Sequence, residues 1–142
     1  MKTLTVPRTA SALGWAGLLP FAAAPLLLGA RGDLAPLIGP AIAAYALAIL
    51  CFLVGAWWGI ALLRRHPAIL LLSNAMVVAA CLGVVLLERG HALLLLAVSL
   101  LITVAVERRH PMFAPQPGYY AALRLRLSVV AALSLLLTAL LL

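Results

Sequence analysis

Of the 142 residues, 67% are hydrophobic and only 9% charged, and ten Lys/Arg against three Asp/Glu leave a net charge of +7. An apolar share so far above the roughly half found in soluble domains excludes a water-soluble globular fold. The positive balance does not indicate nucleic-acid binding either, because the basic residues stand in short clusters at the ends of apolar runs, with no shared stripe and no interleaved aromatic platform.

Five apolar stretches follow one another, at residues 11–30, 41–63, 68–87, 91–106 and 120–142. Each is near the ~20 residues that cross a ~30 Å hydrocarbon core. The expected fold is all-α: a polytopic membrane helix bundle of five transmembrane helices, with residues 1–142 forming a single integral membrane domain.

The first stretch is preceded by Lys2 and Arg8 and contains the small residues Ala22 to Ala24, which resembles a secretory signal. Cleavage after Ala24 would leave Pro25 at the cut, and the apolar run continues to Leu28, so a retained helix is expected. The second stretch sets Ala41, Ala44, Ala48, Cys51, Gly55 and Gly59 on one broad helical face, and Gly55 to Gly59 is a G-x-x-x-G. Small faces let helix backbones approach closely in lipid, so Ala44, Ala48, Gly55 and Gly59 are expected to be helix-packing residues.

In the third stretch Asn74, Cys81 and Glu88 recur at seven-residue spacing, and on the fourth Ser99, Thr103 and Glu107 form an i, i+4 ladder. Interhelical hydrogen bonds between these two faces are expected. The following loop contains Pro111, Pro115, Pro117 and Gly118, which favour an extended turn. On the last stretch Tyr120, Arg124, Ser128, Ala131, Ser134 and Thr138 share a face that should point inward. Arg126 lies nearly opposite Arg124 and is free to snorkel to the surface. Arg124 is the better candidate for a fixed contact with a lipid phosphate, an anionic head group or a helix C-terminus.

An N-in, C-out arrangement puts Lys2, Arg8, the pairs Arg64/Arg65 and Arg108/Arg109, Arg124 and Arg126 on the cytoplasmic side and leaves only Arg31 and Arg89 outside. The positive-inside rule selects that orientation. Trp15, Trp57, Trp58, Phe113, Tyr119 and Tyr120 cluster toward the same side, as interfacial aromatics do.

No span carries a carboxylate near its middle, so a proton or sodium relay lacks its central member. Paired carboxylates, a Ser/His/Asp set and a phosphate-cradling glycine loop are missing as well. His66 and His110 stand on one side and His91 on the other, which does not suit paired haem ligation. Cys51 and Cys81 read as small packing residues. The expectation is a protein that is not an enzyme and has no metal and no cofactor.

Three motifs carry a resemblance. Leu13-Gly14-x-x-Gly17-Leu18-x-Pro20-Phe21, Tyr45-x-x-x-Ile49-Leu50-x-Phe52-Leu53-x-Gly55-x-x-Trp58-Gly59 and Tyr120-x-x-Leu123-Arg124-x-x-Leu127-Ser128 are similar to those of the DUF3429 family, which includes transmembrane protein 69. The resemblance covers almost the whole chain and implies a small multi-pass protein of bacterial inner membranes and mitochondria, without implying a reaction. The chain departs from the family pattern at Trp57, where histidine is frequent, at Ser128, where threonine is common, and by the lack of a proline in the third span. Any site shared by Trp58, Gly59, Tyr120 and Arg124 therefore works without an imidazole.

Two functions are expected. The first is a non-enzymatic accessory subunit or assembly factor of a larger complex, such as a respiratory one, in the bacterial inner membrane, with lipids and larger membrane subunits as partners. The second is a small transporter or lipid- or quinone-binding protein with a pocket between spans two, three and five. Asn74, Trp58, Tyr120 and Arg124 are the candidate lipid or partner contacts.

Overall fold

A computed structural model describes residues 5–142; Lys2, counted above among the cytoplasmic charges, lies outside the described residues. The chain forms α1 (Val6–Gly17), α2 (Leu19–Ala30), α3 (Ala35–Arg64), α4 (Pro67–Leu86), α5 (Arg89–Arg109) and α6 (Gly118–Leu141), with 3-10 turns at Gly32–Leu34 and Pro111–Phe113. No strand occurs among the described residues. Among the described residues, five helical units are long and apolar enough to cross a membrane, α1 and α2 together making the first.

The first span is broken. Pro20 has no N–H to offer the Ala16 carbonyl, and the turn tightens at Leu18, whose N–H reaches Trp15 O at 3.1 Å. A backbone group released inside a membrane must find another partner. Tyr45 of α3 supplies one for the next carbonyl along the break, its hydroxyl donating to Gly17 O at 2.9 Å while its ring meets Phe21 edge-on at 5.3 Å between centroids.

The second span is longer than expected. Helix α3 begins at Ala35 and runs through Pro40, because the bond that Pro40 cannot make would go to Pro36, in a first turn whose geometry proline favours. At its other end Arg65 adopts the left-handed conformation (φ 55°) and His66 N–H returns to Ala61 O at 3.0 Å, ending the helix before Pro67. The fourth span, short in the sequence reading, extends over 21 residues.

Helix α5 is central, packed against α3, α4 and α6. Its Leu93, Leu96 and Leu100 join Leu50 and Val54 of α3 and Leu135 of α6 in a core almost free of exposure. Helix α2 fills the groove between α3 and α6, whereas α1 leans on α6 and buries no residue. Two glycines permit close approaches: a Cβ on Gly83 would collide with Leu95 of α5, and one on Gly14 with Leu127 of α6.

The hydrogen bonds expected between the third and fourth spans do not form. Asn74 is exposed and donates to Leu70 O at 2.8 Å, Ser99 to Leu95 O at 2.8 Å and Thr103 to Ser99 O at 2.8 Å. Each side chain is satisfied by a carbonyl of its own helix, which requires no partner in lipid.

Candidate functional site

Glu107 closes the ladder Ser99, Thr103, Glu107 on α5, and unlike the other two it looks across to a neighbouring helix. Arg124, the second turn of α6, meets it in a bidentate pair: Nε donates to Oε2 at 3.0 Å and Nη2 to Oε1 at 2.8 Å. The side chains are only 8% and 9% exposed. Trp57 of α3 completes the group, its Nε1–H donating to Oε1 at 3.0 Å. Three helices are thereby joined through one carboxylate.

The loop after α5 covers this group at the membrane end. Pro111 starts the 3-10 turn, whose Met112 and Phe113 are buried. The Phe113 ring packs on Trp57 at 5.3 Å between centroids, and His110 Nδ1 accepts from Met112 N–H at 3.2 Å. Arg64 at the end of α3 donates to Ala114 O, and the His66 and His110 rings meet at 5.4 Å. The pair is consequently shielded from the aqueous side by protein.

On its other flank lies a cavity of about 360 Å3 bordered by α1, α2, α3 and α6, with Leu100 of α5 at the back. That volume falls within the ~300–1,000 Å3 of small-molecule sites. The walls are almost entirely apolar, and the polar residues are gathered on one helix: Tyr120, Arg124 and Ser128 of α6. Among its lining residues Leu13 of α1 and Phe52 of α3 are exposed at 69% and 75%, so the cavity reaches the lateral apolar surface beside these two helices. The Tyr45 to Gly17 hydrogen bond ties α3 to the first span at the helix break.

Residues 6–140 match the family described as "Protein of unknown function (DUF3429)". The chain belongs to that family. Transmembrane protein 69 of Xenopus tropicalis is 36% identical over 133 residues, 91% of this chain and 53% of its own length. The chain therefore spans about half the length of the curated relative it matches. No solved structure matches it.

In this DUF3429 protein the three resemblance motifs, far apart in sequence, converge on one cavity: Gly14 and Gly17 from the first, Phe52 and Leu53 from the second, Tyr120 and Arg124 from the third. Of the candidate contacts, Tyr120 and Arg124 sit together at its polar end. Asn74 does not join them, since α4 packs on the far flank of α3 and α5 and contributes nothing to the cavity wall. Trp58 is 43% exposed and turned outward, while its neighbour Trp57, 1% exposed, meets Glu107. The pocket expected between the second, third and fifth spans instead involves the first, second and fifth.

Ala44, Ala48, Gly55 and Gly59 also lie on the outer surface, with open space around the position of a Cβ at both glycines. Among the described residues the small face thus meets no helix of its own chain. Glu107 was the residue missed by sequence reading. Its signal was the inward ladder it completes, outweighed there by its place at the end of a span.

Proposed function

We propose that this multi-pass DUF3429 protein is a non-enzymatic binder of a membrane-soluble amphiphile, which enters laterally between α1 and α3. The observation that carries the reading is an apolar cavity, open to the lipid side, with polar side chains confined to one wall. A chemical role for Glu107 is disfavoured because both of its oxygens are engaged by Arg124 and Trp57. The test is mass spectrometry of the full chain extracted in a gentle detergent. A defined small molecule retained in proportion to protein supports the reading; only bulk lipid in membrane proportions argues against it.

A second reading, an accessory subunit or assembly factor of a larger membrane complex, is favoured by the outward small face of α3, whose Gly55 and Gly59 leave room for a close-packed helix. Stable co-purification of larger subunits, lost in Gly59→Leu, is its expected outcome. For localisation we favour the bacterial inner membrane, N-terminus in the cytoplasm. The support is the end of the bundle where Arg64 and His66, on either side of Arg65, meet the loop after Arg108 and Arg109, which the positive-inside rule assigns to the cytoplasm. A reporter fused to Leu142 that is active only outside the cytoplasm tests that orientation. Lipids, with no nucleic acid, are the partners this reading implies.

A further inference from the structure

The polar end of the cavity contains donors that the fold does not use. Arg124 is 7% and Ser128 3% exposed, and both line the cavity. Nε and Nη2 of Arg124 are taken by Glu107. Among the described residues neither Arg124 Nη1 nor Ser128 Oγ forms a hydrogen bond, yet no fully buried polar side-chain atom is left without a partner. Both atoms therefore keep an opening, and the cavity is the space their residues border. Tyr120, one turn before Arg124, adds a second hydroxyl and thus a third donor, without a hydrogen bond among the described residues, at the same wall.

Charge decides what such an end can receive. Glu107 already balances the guanidinium in a bidentate pair. A second anion would have to share it while facing that carboxylate across a medium of low dielectric, where like charges repel strongly and desolvation of an anion is costly. An uncharged carbonyl oxygen needs only the donors on offer, and satisfying them removes the penalty of unused polar groups.

Building on the amphiphile-binding reading, we propose that the cavity holds a neutral amphiphile whose carbonyl head accepts from Arg124 Nη1 and Ser128 Oγ, with its hydrocarbon tail directed past Leu13 and Phe52 into the bilayer. This chemistry has two membrane sources, an isoprenoid quinone and a neutral acylglycerol. The ion pair is a positioning element, because it fixes the guanidinium plane while cancelling its attraction for anionic heads.

The test uses the full chain in nanodiscs and three probes: a ubiquinone with two isoprene units, dioctanoylglycerol and dioctanoyl phosphatidic acid. Saturable binding is followed by tryptophan fluorescence and calorimetry. One or both neutral probes are expected to bind more tightly than the phosphatidic acid, and the tighter neutral probe identifies the source. Ser128→Val, which removes the hydroxyl, is expected to weaken that binding on the order of tenfold. Ala131→Leu, on the apolar wall, narrows the cavity and serves if the first variant does not fold. Equal or tighter binding of the phosphatidic acid overturns the neutral-head assignment while leaving amphiphile binding intact. Unchanged affinity in both folded variants overturns the site, and no saturable binding of any probe overturns both readings.

Discussion

At one end of the bundle Arg124 and Glu107 meet at 2.8 Å with side chains 8% and 9% exposed; at the other, Arg31 and Asp33 meet at 2.9 Å with side chains 64% and 62% exposed. The distances hardly differ. What differs is how much water remains. The outer pair bridges neighbouring residues of one turn, where solvent screens each charge whether or not the contact forms. The inner pair ties α5 to α6 and, through Trp57, to α3, so removing one partner strands a charge without water. Contact geometry alone therefore says little about the energetic role of an ion pair.

The strongest way to break the comparison is Arg124→Ala or Glu107→Ala. Either is expected to cost ~3–5 kcal/mol, because the remaining charge has no partner in a buried site. The measurement is equilibrium unfolding of the detergent-solubilised protein. The double variant Glu107→Leu with Arg124→Met should recover most of that loss, since an apolar pair of similar size leaves nothing unpaired. A double variant as unstable as the singles would mean that specific hydrogen bonds, rather than the avoidance of a lone charge, hold this end together.

Trp57→Phe sharpens the point. The ring stays available to Phe113, but Glu107 loses one donor, for an expected cost of ~1.5–3 kcal/mol, as for hydrogen bonds to charged groups. An unchanged unfolding midpoint would reduce Trp57 to a packing residue. Gly83→Ala probes a contact with no charge in it: the new methyl meets Leu95, a flexible side chain that must move, so a cost of ~1 kcal/mol is expected. The helical register between α4 and α5 should be retained, which disulfide trapping of paired cysteines across that interface checks.

The five spans were legible because an apolar run of sufficient length has few alternatives in a membrane. Proline was the less readable signal. Pro40 near a helix start is tolerated and Pro20 in mid-span is not, and the difference depends on which carbonyl loses its donor and whether a group such as Tyr45 stands near. At the candidate site the inward stripe of α6 was readable, and Tyr120, Arg124 and Ser128 lie together at the cavity. Asn74 and Trp58 lie on exposed faces away from the cavity, which polarity and aromaticity do not reveal, because the direction a helix faces depends on which neighbour covers it. The G-x-x-x-G likewise identified a small face without revealing that it points outward. That outward face supports the accessory role as a second reading, whereas the lateral cavity, which no single span announces in sequence, is the basis of our first.

The smallest expected effect belongs to the outer pair. Arg31→Ala should leave the unfolding midpoint unmoved within error, since exposed pairs contribute little once side-chain ordering and screening are counted. The Gly32–Leu34 turn has a backbone bond of its own, Leu34 N–H to Arg31 O at 3.1 Å, which any residue at position 31 retains. Repeating the measurement in high and low salt separates the two possible roles of the arginine. Salt-independent stability in both proteins leaves the pair with no part in holding the turn. A clear loss confined to low salt would mean that the pair orders the turn, and that the two ends of the bundle differ less than their exposure implies.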